Sequence, residues 1–444
     1  MRSSKFILFG IVMVILVSCS KDEPQNLPPT VGALAATDIT RNSATLNGFV
    51  TTHGGEITRL QFRYGLTPDM DIVAALPPQN GAVSTNVDGL RYNSTYYFCL
   101  EAGNGYTLIS STPVTFKTAN RSDTGALWVE TPGTLELLFT EDETYNTDTL
   151  LISGKLNGDD LRFLRRMLGR DINESATAGR VSVLDLFDAQ IREGGSAYDG
   201  MHFTQDDIVG QGLFTDCVRL KELKLPSTTK VIEAEALRGC TSLRELHLPG
   251  TITQIEPSSD CSSLEVIDIG GNNTHYQSVD GVLLDKDIKT LIWFPQGRTA
   301  DYLVPGSVTT IGTGAFRGSQ CRHITLGKQI TEIGAGAFAG SQIESMAIPD
   351  GVETIRSGLF QNCGKLLTLT LGTEALFLSS YLFEGCPLTE LHLKSADFIP
   401  HCESDTFAGA EQLFKECTLY VPKGTKRRYQ NAASWSRFER VVEE

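Results

Sequence analysis

Between residues 30 and 119 apolar and polar residues alternate in short runs: Ala44, Leu46 and Val50, then Leu60, Phe62 and Tyr64, then Tyr96, Phe98, Leu100 and Ala102. A strand sends successive side chains to opposite faces, so these runs predict half-buried strands of an antiparallel β-sandwich. Gly54-Gly55, Pro77-Pro78 and Asn80-Gly81 supply the turns between them. Cys99 lies between inward-facing Phe98 and Leu100 and is expected to point outward.

From residue 216 to 422 alternation gives way to repetition. Leu223-Lys224-Leu225-Pro226 recurs as Leu246-His247-Leu248-Pro249, Ile267-Asp268-Ile269, Ile324-Thr325-Leu326 and Met346-Ala347-Ile348-Pro349. Leu369-Thr370-Leu371, Leu391-His392-Leu393 and Leu419-Tyr420-Val421-Pro422 continue it. A Phe-led unit precedes many of these, as at Phe316, Phe338, Phe360 and Phe383. Each unit ends on a small residue at Ser319, Ser341, Cys363 or Cys386, a period of 22 to 23 residues. Such a period predicts a solenoid whose coils bury their apolar faces only against neighbouring coils. The outer apolar positions of each strand then point inward, and each Phe stacks on the Phe of the coil before.

These details resemble the BspA-type leucine-rich repeats of bacteria. Val308-Thr309-Thr310-Ile311-Gly312 followed by Ala315-Phe316, and Val352-Glu353-Thr354-Ile355 followed by Phe360, carry the resemblance. In the earlier stretch, Leu90 followed by Tyr96 resembles the tyrosine corner of fibronectin type III domains, in which the phenol bonds an upstream backbone group. Gly48 departs from that family, since a Trp often fills the position. The expected architecture is therefore mainly β and multidomain: a fibronectin type III-like sandwich over 30–119, an N-terminal cap with degenerate repeats over 120–215, the solenoid over 216–422 and a C-terminal cap over 423–444. Within the first cap, Asp159 or Asp160 is expected to start a helix with Leu161, Leu164 and Leu168 on one face, ending at Gly169. Tyr429, Trp435 and Phe438 are expected to cover the last coil.

One interval breaks the rhythm. Cys261 and Ser319 are 58 residues apart, and the insert reads as a coil with a hairpin turning at Asp285-Lys286-Asp287. Those aspartates do not have the spacing of an EF-hand, whose loop needs a central Gly and a closing Glu.

Ten cysteines raise the question of disulfides or metal. Cys217, Cys240, Cys261, Cys363 and Cys386 share one repeat position with Ser319 and Ser341, which points to a small buried slot and a ladder of thiols. Stacking also leaves a Cys217–Cys240 bridge geometrically open. Cys402 and Cys417 fall outside the ladder.

Residues 1–18 read as a leader, with Arg2 and Lys5 ahead of an apolar run from Phe6 to Val17. That run is shorter than the roughly 20 residues of a membrane-spanning helix. Leu16-Val17-Ser18-Cys19 resembles the lipobox of bacterial lipoproteins. The resemblance implies that Cys19 carries the lipid and that 19–29 is a tether. Ser20 and Lys21-Asp22-Glu23 resemble signals for the outer membrane and the cell surface.

The net charge of −15 disfavours nucleic acid as a partner. No nucleophile elbow, phosphate loop, His-Glu-x-x-His or paired-Cys zinc spacing occurs, so no enzyme activity, cofactor or metal is expected. What remains is the solvent-facing side of the repeat strands. One column comprises Lys224, His247, Asp268, Thr325, Ala347, Thr370 and His392. Beside it runs a second, Glu222, Glu245, Val266, His323, Ser345, Thr368 and Glu390. This mixed surface suits a hydrated protein or glycan partner. Resemblance to BspA-type proteins implies adhesion or ligand capture at the cell surface. The alternatives are a glycan- or nutrient-binding accessory of an outer-membrane uptake system, or a structural spacer.

Overall fold

A computed structural model describes residues 27–40, 42–91, 94–119 and 125–444. The lipid-attachment candidate Cys19, the leader and most of the tether lie outside the described residues. No helix among the described residues is long and apolar enough to cross a membrane. The chain divides into two compact units, Met1–Asp123 and Thr124–Glu444.

In the first unit, strands Thr30–Thr37, Ala44–Thr51 and Gly81–Val87 form one antiparallel sheet. Ile72–Leu76, Arg59–Gly65, Thr95–Gly103 and Leu108–Ser110 form another, with Val114–Lys117 also paired to Thr95–Gly103. The alternating apolar residues meet in one core, where Leu46, Phe62, Phe98 and Leu100 have no exposed surface. Gly48 is required by space: a Cβ there would stand 2.8 Å from the Leu100 side chain and 2.8 Å from the Gly32 carbonyl oxygen. The Tyr96 hydroxyl accepts a hydrogen bond from the Arg91 backbone N–H at 2.9 Å.

Cys99 lies outside that core, on the opposite face of its strand, without being exposed. It is buried, because the outer face of these central strands is itself covered by a polar network. The Gln61 amide donates to Glu101 at 2.6 Å and the Ser110 hydroxyl donates to the same carboxylate at 3.0 Å. Alternation identifies which face is apolar; it does not reveal that polar groups can bury the other.

The second unit is a stack of coils. Each L-x-L segment is a short parallel strand, and the register is residue for residue: Leu184, Leu223, Leu246 and Ile267 stand side by side. After the insert Met346, Leu369, Leu391, Leu419 and Val441 do the same. A second wall is built from two-residue strands such as Ile208–Val209, Val231–Ile232 and Gln254–Ile255. Between the walls runs the aromatic ladder. The rings of Phe294 and Phe316 lie 4.9 Å apart, those of Phe316 and Phe338 5.2 Å, and those of Phe338 and Phe360 5.8 Å. Phe294 and Phe407 extend the ladder beyond the repeats that the sequence marks clearly.

The small position next to each ladder residue is buried throughout, and the described cysteines are free thiols. Its chemistry is now explicit. The thiols of Cys240, Cys261, Cys363 and Cys386 donate to the carbonyls of Phe214, Leu237, Phe338 and Phe360, one coil earlier, at 2.9 to 3.3 Å. Ser319 and Ser341 occupy the same buried slot, where the Ser319 hydroxyl accepts from the Cys321 N–H and the Ser341 hydroxyl pairs with the Cys363 thiol, so the position selects a compact side chain. Burial pushes the Cys217 and Cys261 thiols up to about 12.

The insert contains two turns where one was expected. Tyr276–Val279 and Val282–Asp285 form a hairpin around Asp280-Gly281, both with positive φ (50° and 73°). This is the geometry for which Asp-Gly is suited. Val282–Asp285 then turns through Lys286-Asp287 into Thr290–Trp293. Successive residues of this hairpin face different cores. Val282, Leu284 and Phe294 join the C-terminal core, while Leu283 and Trp293 join the N-terminal one. The insert thus links two apolar clusters.

Upstream, the helix Gly158–Met167 buries Leu161 and Leu164 and stops at Leu168-Gly169, with Gly169 at φ 98°. Its N-cap is Asn157, not Asp159 or Asp160: the Asn157 side chain accepts from the Asp159 N–H, and Asp160 completes the capping box. Asp160 is 1% exposed and also accepts from the N–H groups of Gly133 and Leu135. Its burial explains the misplacement. Asp160 lies at the third helical position, where its carboxylate also holds the distant segment around Gly133 and Leu135. At the other end Tyr429, Trp435 and Phe438 are buried against Phe407 and its neighbours.

Candidate binding face

Register sets the face. Glu222 stands beside Glu245, and Lys224, His247 and Asp268 follow one another across three strands. The His247 ring sits among three carboxylates, 3.5 Å from Glu245, 3.8 Å from Glu222 and 3.7 Å from Asp268. The Lys224 ammonium lies 3.2 Å from Asp185, which continues the same row one strand upstream. A concave patch of about 440 Å³ lies over this row. Its floor and sides include Leu151, Ile152 and Pro249, and Phe187 at its edge is 51% exposed.

The expected columns are not continuous. The first sheet ends at Val266–Ile269, because the Ile267 N–H donates to the Gly281 carbonyl of the inserted hairpin at 3.0 Å. A separate set of strands carries the remaining candidates. Thr325 and His323 are exposed on and beside the short strand Ile324–Thr325. Thr370 and His392 align in the sheet that follows, as do Thr368 and Glu390. His392 is already engaged: its ring stacks on Tyr420 at 4.3 Å and 3°, and its Nδ1 lies 3.0 Å from a Glu444 carboxylate oxygen. His247 and His392 therefore share a repeat position but not a site. No group of His, Cys, Asp and Glu able to hold a metal ion occurs among the described residues.

Sequence reasoning missed Asp185 and Phe187. Asp185 was within reach, since Val183-Leu184-Asp185-Leu186 has the pattern of a degenerate repeat strand and the row needed only one more step. Phe187 carried no such signal. Its exposure follows from the turn after the strand, where its N–H donates to the Asp185 side chain at 2.9 Å.

The second unit is thus a leucine-rich-repeat solenoid. Its repeats are of the BspA type: residues 205–279 and 294–413 match the BspA type leucine-rich repeat region in six copies. The interval between the two matches, 280–293, holds the Asp280-Gly281 turn and the inserted strands Val282–Asp285 and Thr290–Trp293. No curated protein matches the chain. Among solved structures, the chain is similar to the pneumococcal vaccine antigen PcpA, with 18% identity over 80% of this chain and 98% of that one (TM-score 0.47). It is similar to a leucine-rich repeat protein of Eubacterium ventriosum, with 21% identity over 61% of this chain and 72% of that one (TM-score 0.44). A leucine-rich cell surface protein of Faecalibacterium prausnitzii is 18% identical over 66% of this chain and 86% of that one (TM-score 0.37).

Proposed function

We propose that this is a non-catalytic protein of the bacterial cell surface that captures a protein or glycan partner through the strand face of its solenoid. The observation that carries the reading is the in-register row Asp185, Lys224, His247 and Asp268, which sets acidic and basic side chains side by side along a concave, partly apolar surface. In this reading the Cys19 lipid holds the chain in the outer membrane, several acyl chains each contributing about 0.8 kcal/mol per buried methylene. The first unit is a fibronectin type III-like spacer, a reading supported by its two-sheet packing and the Tyr96 to Arg91 bond. The fold itself carries no activity, so the function rests on the face.

The test is protease shaving of intact cells carrying the wild type or Cys19→Ala. The wild-type solenoid is expected to be cleaved from the cell, and the variant to be released or retained inside. Protection of the wild type until the outer membrane is broken would refute surface display.

A further inference from the structure

The concave patch over the first sheet has a chemistry that narrows its partner. Charged groups along it are unequal in sign. Asp185, Asp188 and Asp268 line it with one permanent cation, Lys224, and one histidine, His247, which Glu222 and Glu245 flank outside the lining. Lys224 is engaged by Asp185. Glu222 and Glu245 are direct cross-strand neighbours, an arrangement of like charges that costs stability unless a cation intervenes. Asp268 and Glu245 keep side-chain exposures of 62% and 54%, so both remain open to a partner. The wall is apolar, and the exposed Phe187 ring stands at its edge.

We propose, resting on the binding role assigned to this face, that the patch receives a cationic side chain, arginine or lysine, of a polypeptide partner. The aliphatic stem lies along Leu151 and Pro249, the charged head reaches Asp268, and Phe187 offers its ring face to the cation. A neutral sugar could stack on Phe187 but would leave the surplus negative charge uncompensated. A cation removes it, so charge complementarity selects the cationic polypeptide.

The test uses the full chain and an acetylated, amidated alanine–arginine pentapeptide, with its citrulline counterpart as the neutral control, in titration calorimetry at low and physiological salt. The arginine peptide is expected to bind, the citrulline peptide about tenfold more weakly, and added salt to reduce the difference. Asp268→Asn and Phe187→Ala should each weaken the arginine peptide by about threefold or more, with unchanged circular dichroism. Equal affinity for the two peptides, still lowered by Phe187→Ala, would overturn the cation but leave the face as a binding site. Affinity indifferent to both substitutions would place the peptide elsewhere and overturn both readings. Failure of the peptide, with a chitooligosaccharide bound in a Phe187-dependent manner, would make the partner a glycan and overturn the proposal.

Discussion

Replacing Phe338 by Ala tests the ladder at its most regular point. Phe338 has no exposed surface and lies between Phe316 at 5.2 Å and 10° and Phe360 at 5.8 Å and 14°. Loss of a buried phenyl ring with partial collapse of the cavity costs about 3–5 kcal/mol, of which about 0.5–1.5 kcal/mol belongs to each stacked pair. Coils contact only their neighbours, so the loss should fall on the C-terminal core and spread by weakening the adjacent coil interfaces. Urea denaturation of the full chain, followed by far-ultraviolet circular dichroism and tryptophan fluorescence, reads this directly. With a slope of about 1–3 kcal/mol per molar urea, a loss of about 4 kcal/mol moves the midpoint of that segment down by more than about 1 M. The N-terminal core holds Trp293 and the C-terminal core Trp435, so fluorescence should resolve an early and a late transition in the variant. A shift worth less than about 1 kcal/mol would refute the stacked ladder.

The thiol column should behave as a donor slot. Cys240→Ser should cost less than about 1.5 kcal/mol and Cys240→Leu about 1–3 kcal/mol or more by overpacking, measured by the same melts. With Cys217 and Cys261 pushed up to about 12, these thiols should resist a thiol reagent at pH 8 until urea exposes them. Asp160→Asn replaces a carboxylate oxygen by a donor where three backbone N–H groups converge, and should destabilise by about 1–3 kcal/mol. Burial pushes Asp207 up, but the Thr228 hydroxyl, Lys230 and Arg192 outweigh it and hold the group below its usual value. A lowered carboxylate contributes stability above its unfolded pKa and loses it as pH falls through the folded one. The gap between wild type and Asp207→Asn should therefore be widest near neutrality and close below about pH 3.9.

The solenoid was legible because its physics is periodic. Each coil needs an apolar pair on the strand, a ring on the ladder and a small donor beside it, and a repeat of 22 to 23 residues displays all three together. Phe294 and Phe407 were harder, since Phe294 lies in the inserted segment and Phe407 is followed by Gly409-Ala410 in place of Gly-Cys or Gly-Ser. The insert concealed its first turn because Asp285-Lys286-Asp287 is the denser polar cluster and Asp280-Gly281 is only two residues long. The face was legible as a set of residues and misread as a continuous line. Position within a repeat fixes which way Lys224, His247 and His392 point, but a hairpin closing the sheet edge at Ile267 and a carboxylate closing over His392 are tertiary events without a local signal. Buried Cys99 and Asp160 belong to the same class. A polar residue on an apparently exposed position is covered when a distant segment brings it partners.

The most direct test of the account is the binding of the full chain to immobilised extracellular-matrix proteins, compared with the double variant Phe187→Ala/Asp268→Asn. Both side chains are more than half exposed on this face, so the variant should keep its circular dichroism and melting profile while its binding falls by about tenfold or more. Binding unchanged in a folded variant, or no saturable binding by the wild type, would contradict a function carried by this face.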